Sequence, residues 1–276
     1  MVLENLTDFR PGKNRLAGVV LFGFLVNTIS LITATVIFDP AAGLVALFLT
    51  SAAAFPLISK AFEVEEGLDV YGSSHFIERH ADVLKVYAGF FIGVMISTSM
   101  FYFALSQTRA DDVFRFQLSA LGSAEITSRS TGQAVGGAVF DEILANNVKV
   151  ALISFLVSVI FGAAAVFVIT WNASVIAVFV GIMAKTSVAS FASLGLFGTP
   201  LAFFYGLAIG TGSIALHGVP EIMSYFVSAL AGGIISVGLS REKINSDRFR
   251  KVAEDGIILL AVALVMIFIA AAVESY

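Results

Sequence analysis

The sequence has no cysteine, only three histidines and five prolines, and just 13% charged residues over 276 positions. Without cysteine there is no disulfide, no thiolate metal site and no cysteine nucleophile. So few charges cannot furnish the solvated surface of an ordinary globular domain, where about a quarter of the residues are charged. The net charge of −4 and the isoelectric point near 5.4 leave no basic footprint, which argues against nucleic acid as a partner. No H-E-x-x-H, G-x-S-x-G or P-loop pattern occurs, and no internal repeat or low-complexity tract is visible.

What fills the chain instead is apolar: 58% hydrophobic residues, a mean hydropathy of +0.94, 26 Phe and 24 Gly. Phe faces lipid well, and Gly lets bundled helices approach closely. The expected class is all-α, a polytopic helical bundle in the cell membrane, with the lipid bilayer as its first partner. Apolar runs cover 16–38, 41–62, 86–105, 148–171, 173–190, 201–216, 222–239 and 257–273. The first is too long for a signal-peptide core and reads as a retained span. A span needs about 20 apolar residues, with about 17 as the lower bound. Segment 201–216 falls short of that and carries Gly206, Gly210 and Gly212, so it reads as re-entrant or broken.

The positive-inside rule bears on that choice. With a cytoplasmic N-terminus and a re-entrant 201–216, eleven basic residues fall inside and four outside. If the segment spans, the cluster Arg241, Lys243, Arg248, Arg250 and Lys251 moves outside and the tally becomes six against nine. The expectation is therefore about seven transmembrane helices plus one re-entrant segment, with the C-terminus outside. Three parts follow: a three-helix segment at 1–107, an external polar and amphipathic segment at 108–145, and a membrane core at 146–276. Ser73 and Ser74 resemble helix caps, and His75 and His80 read as residues of a solvated helix.

Within that frame the polar residues converge. Asn146 and Asn147 open one core helix, His217 and Glu221 another, and Glu274 closes the last, all at one depth. Lys185, rising about 18 Å along its own helix, reaches the same layer. A His with two carboxylates suits Zn²⁺ or another divalent metal, with an amide or water completing the shell. Gly218 and Pro220 predict that the helix starts at Val219 or Pro220, leaving His217 in the preceding turn. The plainer alternatives are a Glu221 that caps the first helical turn, a solvated Glu274, and a Lys185 that snorkels or forms a structural ion pair. Asn172 is expected to make the tight turn between the two helices around it, and Gly206-x-x-x-Gly210 fits helix packing.

Several local patterns occur in a fixed order. They are Asn146-Asn147-Val148-Lys149, Trp171-Asn172-Ala173-Ser174-Val175, His217-Gly218-Val219-Pro220-Glu221, Ala231-Gly232-Gly233-Ile234-Ile235-Ser236, and the closing Val273-Glu274. From about residue 146 onward the chain resembles the stage II sporulation protein M family of integral membrane proteins. The resemblance implies that the paired Asn146/Asn147, Asn172, His217/Glu221 and Glu274 are the family's polar set. The first half is similar to the archaeal branch, which adds helices before this core. The bacterial namesake works beside a separate hydrolase in a complex that remodels peptidoglycan, a role that does not carry over to an archaeal-type protein.

Three functions fit these observations. One is a scaffold or partner-binding component at the cell envelope, with or without a structural metal, that binds membrane or envelope proteins or further copies of itself. Another is a membrane-embedded metal-dependent hydrolase with His217, Glu221 and Glu274 as ligands, Glu221 as candidate catalytic residue and segment 106–141 as a lid. The last is a transporter built on the broken segment.

Overall fold

The computed structural model describes residues 15–38, 42–71, 76–130 and 137–274. Within these, the side chains of Arg15, 62–71, 76–80, 123–130, 137–139, Glu142 and His217 are not described. The expected caps at Ser73 and Ser74 and the side chains of His75 and His80 lie outside that description.

The described chain is all-α. Helix α1 (Arg15–Ile37) is followed by α2 (Ala42–Tyr71), α3 (Phe76–Ala104) and two shorter helices, α4 (Gln107–Val113) and α5 (Arg115–Ser130). Then come α6 (Gly137–Phe161), α7 (Val166–Phe191), α8 (Gly198–Arg241) and α9 (Asp247–Glu274). Among the described residues, six stretches are long and apolar enough to cross a membrane: Leu16–Ile37, Ala42–Ala61, Ala81–Ala104, Ile143–Leu216, Gly218–Arg241 and Asp247–Glu274. The fourth holds 74 residues and takes in most of α6, all of α7 and the first part of α8. The polytopic helical bundle expected from composition is the fold observed.

Two boundaries differ from the expectation. The turn between α6 and α7 is not at Asn172 but ten residues earlier, in the 3₁₀ segment Gly162–Ala165. Gly162 takes φ +62°, a left-handed conformation that costs a residue with a Cβ and costs glycine nothing. The Gly-Ala-Ala-Ala turn carries no polar residue, so an apolar run passes through it unmarked. Asn172 sits inside α7, where its amide donates to the carbonyl of Val168 at 2.8 Å.

The second difference is in α8. Rather than starting anew at Val219 or Pro220, one helix of 44 residues runs from Gly198 to Arg241 with Pro220 inside. A proline removes one backbone hydrogen bond from a helix. In an apolar medium no water competes for the remaining ones, and neighbouring groups make good the loss.

A 44-residue helix rises about 66 Å, twice the thickness of a bilayer core. Accordingly α8 serves two sets of neighbours. Its first half lies antiparallel on α7, where Gly206 backs onto Ala184 and Gly210 onto Val180. Its second half lies parallel to α6, with Gly232 against Phe155 and Ser158, and antiparallel to α9, with Ile235 against Gly256. The expected helix-packing role of Gly206 and Gly210 is observed, because a methyl at Gly206 would strike the Ala184 backbone.

Segment 106–130 is not a free connector. Phe114 is buried in a cluster with Leu31, Ala46, Tyr102 and Val178, and the amide of Gln117, also buried, donates to Ser174 of α7 at 3.4 Å. The short amphipathic patch seen in the sequence is thus the part that enters the bundle.

Candidate functional site

Helices α6, α8 and α9 meet at one end around Tyr225, which is 2% exposed. Its phenol oxygen lies 2.6 Å from Oε1 of Glu221 and 3.0 Å from Oδ1 of Asn147. Asn146 extends the group, its Nδ2 donating to Asn147 Oδ1 at 3.4 Å. Glu274, at the end of α9, is close enough for its charge to act on Tyr225. Ala151 and Ile267 seal the cluster from the bundle side.

Local sequence explains this convergence. Glu221 and Tyr225 are four apart on a helix and therefore share a face. The parallel packing of α6 on α8 is set by Gly232, where a Cβ would meet the Phe155 carbonyl, and it brings Asn147 level with Tyr225. The antiparallel α9 then returns its C-terminus to the same end.

A phenol has a single proton. The shorter contact, to a carboxylate, is the stronger claim on it, since a hydrogen bond to an ionised acceptor is about twice as strong as a neutral one. Asn147, 3% exposed, offers its Oδ1 as the second acceptor for the phenol and accepts from Asn146 at the same oxygen. Chemically the arrangement fixes the Glu221 carboxylate in one orientation.

The structure thus brings together Asn146, Asn147, Glu221 and Glu274 from three helices. His217 lies on α8 one helical turn before Glu221, and the unbroken helix gives the two positions a common face. Lys185 is elsewhere. Its ammonium donates to the carbonyl of Leu105 at 2.8 Å and lies 4.7 Å from the ring centre of Tyr102. It is level with Gly206, some fifteen residues or about 22 Å along α8 from Glu221. Asn172 likewise spends its amide within α7. Among the described residues no three His, Asp or Glu side chains form a metal-binding group, a description that leaves out the His217 side chain.

Tyr225, the hub of the cluster, was not singled out by sequence. The signal that finds it is its i+4 spacing from Glu221. Also missed was a second polar cluster in the first half of the chain. There Asn27 of α1, 1% exposed, donates to Ser97 at 3.0 Å and Thr98 at 2.8 Å on α3, and accepts from Thr50 of α2 at 3.1 Å.

Together these features define a multi-pass helical membrane protein with a phenol–carboxylate–amide cluster gathered from its last three long helices. The family profile described as stage II sporulation protein M matches residues 84–276, and the chain belongs to that family. The match reaches well upstream of the motifs that suggested it and takes in α4, α5 and most of α3. No curated protein and no solved structure matches the chain.

Proposed function

We propose that this protein is a non-catalytic membrane component of the cell envelope, a scaffold that binds another membrane protein through the face carrying Glu221 and Glu274. The observation that supports this reading is the phenol–carboxylate contact. Tyr225 holds one oxygen of Glu221 at 2.6 Å inside the bundle, while Glu274 is exposed beside it. A carboxylate so anchored is oriented for recognition by a hydrogen bond or ion pair from a partner helix. Family membership supports an integral membrane protein and leaves the activity open. The orientation we favour keeps the N-terminus cytoplasmic and the C-terminus outside, and the helices before residue 84 support placement in the archaeal branch.

The test is crosslinking in native membranes followed by native electrophoresis. Tyr225→Phe and Glu221→Ala should dissolve a larger assembly while the detergent-purified chain stays folded. An assembly of unchanged size in both variants would sink the scaffold reading.

One observation favours a second reading. Because α8 is continuous, His217 and Glu221 lie four apart on one face, the spacing at which a helix offers two ligands to one metal. With Glu274 as a third ligand, a divalent cation such as zinc would activate a water at the membrane surface. Under this reading Glu221→Gln abolishes hydrolysis and leaves the fold intact. A transporter is the weakest of the three, because it requires a polar path through the whole bilayer.

A further inference from the structure

At the opposite end of the α6–α8 pair there is an open cavity of about 410 Å³. Ser59 of α2, with Ser240 and Arg241 at the end of α8, lines it together with Phe55, Ile160 and Phe161. It lies where α6 ends at Phe161 and α8 at Arg241, so it sits where the apolar stretch Gly218–Arg241 gives way to the polar turn before α9. Arg241 is some twenty residues along α8 from Glu221, about 30 Å away, so this cavity is separate from the cluster described above.

This mixed lining asks for a ligand with two natures. Ile160 and Phe161 are 67% and 64% exposed, and they offer a soluble anion nothing. An acyl chain, by contrast, would lie along them. A guanidinium has five N–H donors in a planar fork that matches phosphate, enough to serve a ligand alongside protein partners. Ser59, which also lines the cavity, brings a hydroxyl as a further donor. Lys60 follows Ser59 and Lys243 lies two residues past Arg241, so both chain segments that line the cavity are basic there. Basic groups at the end of membrane helices attract anionic headgroups by about 1 kcal/mol each.

We infer that this cavity is a binding site for an anionic phospholipid, its phosphate on Arg241 and Ser59 and its chains along Ile160 and Phe161. The reading is independent of what the Glu221 cluster does.

Native mass spectrometry of the full chain in mixed micelles tests it, with phosphatidylglycerol and phosphatidylcholine in equal amounts. Wild type should retain phosphatidylglycerol in preference. Arg241→Gln should lower that retention about tenfold, the scale of one charge-assisted hydrogen bond. Arg250→Gln should change it less than about twofold, because Arg250 is exposed and pairs with Glu254 away from the cavity. Ser240→Trp, which fills the cavity from its open side, gives the same loss as Arg241→Gln without removing a charge. Competition by inorganic phosphate at millimolar concentration would keep the phosphate site and make free phosphate its source. Equal retention of the two lipids overturns the inference, as does an equal loss in Arg241→Gln and Arg250→Gln with none in Ser240→Trp.

Discussion

The two polar clusters of this molecule are built from similar parts to opposite ends. Around Asn27 every group is neutral: an amide, the hydroxyls of Thr28, Thr50, Ser97 and Thr98, and the Val94 carbonyl, the two helices meeting through Gly23 and Gly93. The side chains of Asn27, Thr50, Ser97 and Thr98 bond to members of this group, and each is at most 3% exposed. Around Tyr225 the amides meet two carboxylates instead, and the cluster runs from the buried Asn147 out to the exposed Glu274. A closed neutral network fixes which helices pair and in what register. An ionisable group at the end of a helix bundle is costly to hold there unless it meets something beyond the bundle. The proposed scaffold role draws on this difference, with the second cluster as the one that would meet a partner.

If that contrast is right, mutations should separate the clusters. The largest stability loss is expected for Asn27→Leu, which keeps the branched shape but strands the hydroxyls of Thr50 and Thr98. Hydrogen bonds between membrane helices average about 0.6 kcal/mol, so losing four should cost about 2 kcal/mol and lower Tm by roughly 4–8 °C. Tyr225→Phe comes next, at about 1–1.5 kcal/mol by thermal unfolding, since it removes one hydroxyl from two acceptors. A double-mutant cycle with Glu221→Gln should then return a coupling of about 1 kcal/mol between the two positions, and a coupling near zero would mean the 2.6 Å contact carries no energy.

Glu274→Gln is expected to leave Tm within about 1 °C, because its carboxylate is exposed, while weakening any assembly that uses this face. The smallest effect belongs to Ser158→Ala and Ser228→Ala. Both hydroxyls are fully buried on the α6 and α8 helices and have no hydrogen-bond partner, so deleting them should be neutral or slightly stabilising.

Much of this architecture could be read in advance, and the failures have identifiable causes. Long apolar runs announce membrane helices reliably because an unsatisfied backbone cannot lie in lipid. The α6–α7 turn escaped notice because glycine and three alanines make it, with no polar residue to mark it. Pro220 misled in the other direction: the break it signals in a water-soluble helix does not occur inside α8. For the site, Asn147, Glu221 and Glu274 stood out as polar residues at the edges of apolar runs. Tyr225 did not, since a tyrosine within such a run looks like any other aromatic. Lys185 was placed by counting residues along one helix, and its real partners, Leu105 and Tyr102, belong to α3 and the turn after it, which counting along α7 does not reveal.

The most direct test of the scaffold account is elemental mass spectrometry on folded, detergent-purified protein after exposure to zinc and removal of excess. The measurement is repeated on His217→Ala and Glu274→Gln. A Glu221 carboxylate committed to Tyr225 and to a protein partner predicts no stoichiometric metal in wild type and no difference among the three proteins. One metal per chain in wild type, lost in both variants, would contradict that account and make the membrane hydrolase the reading to pursue.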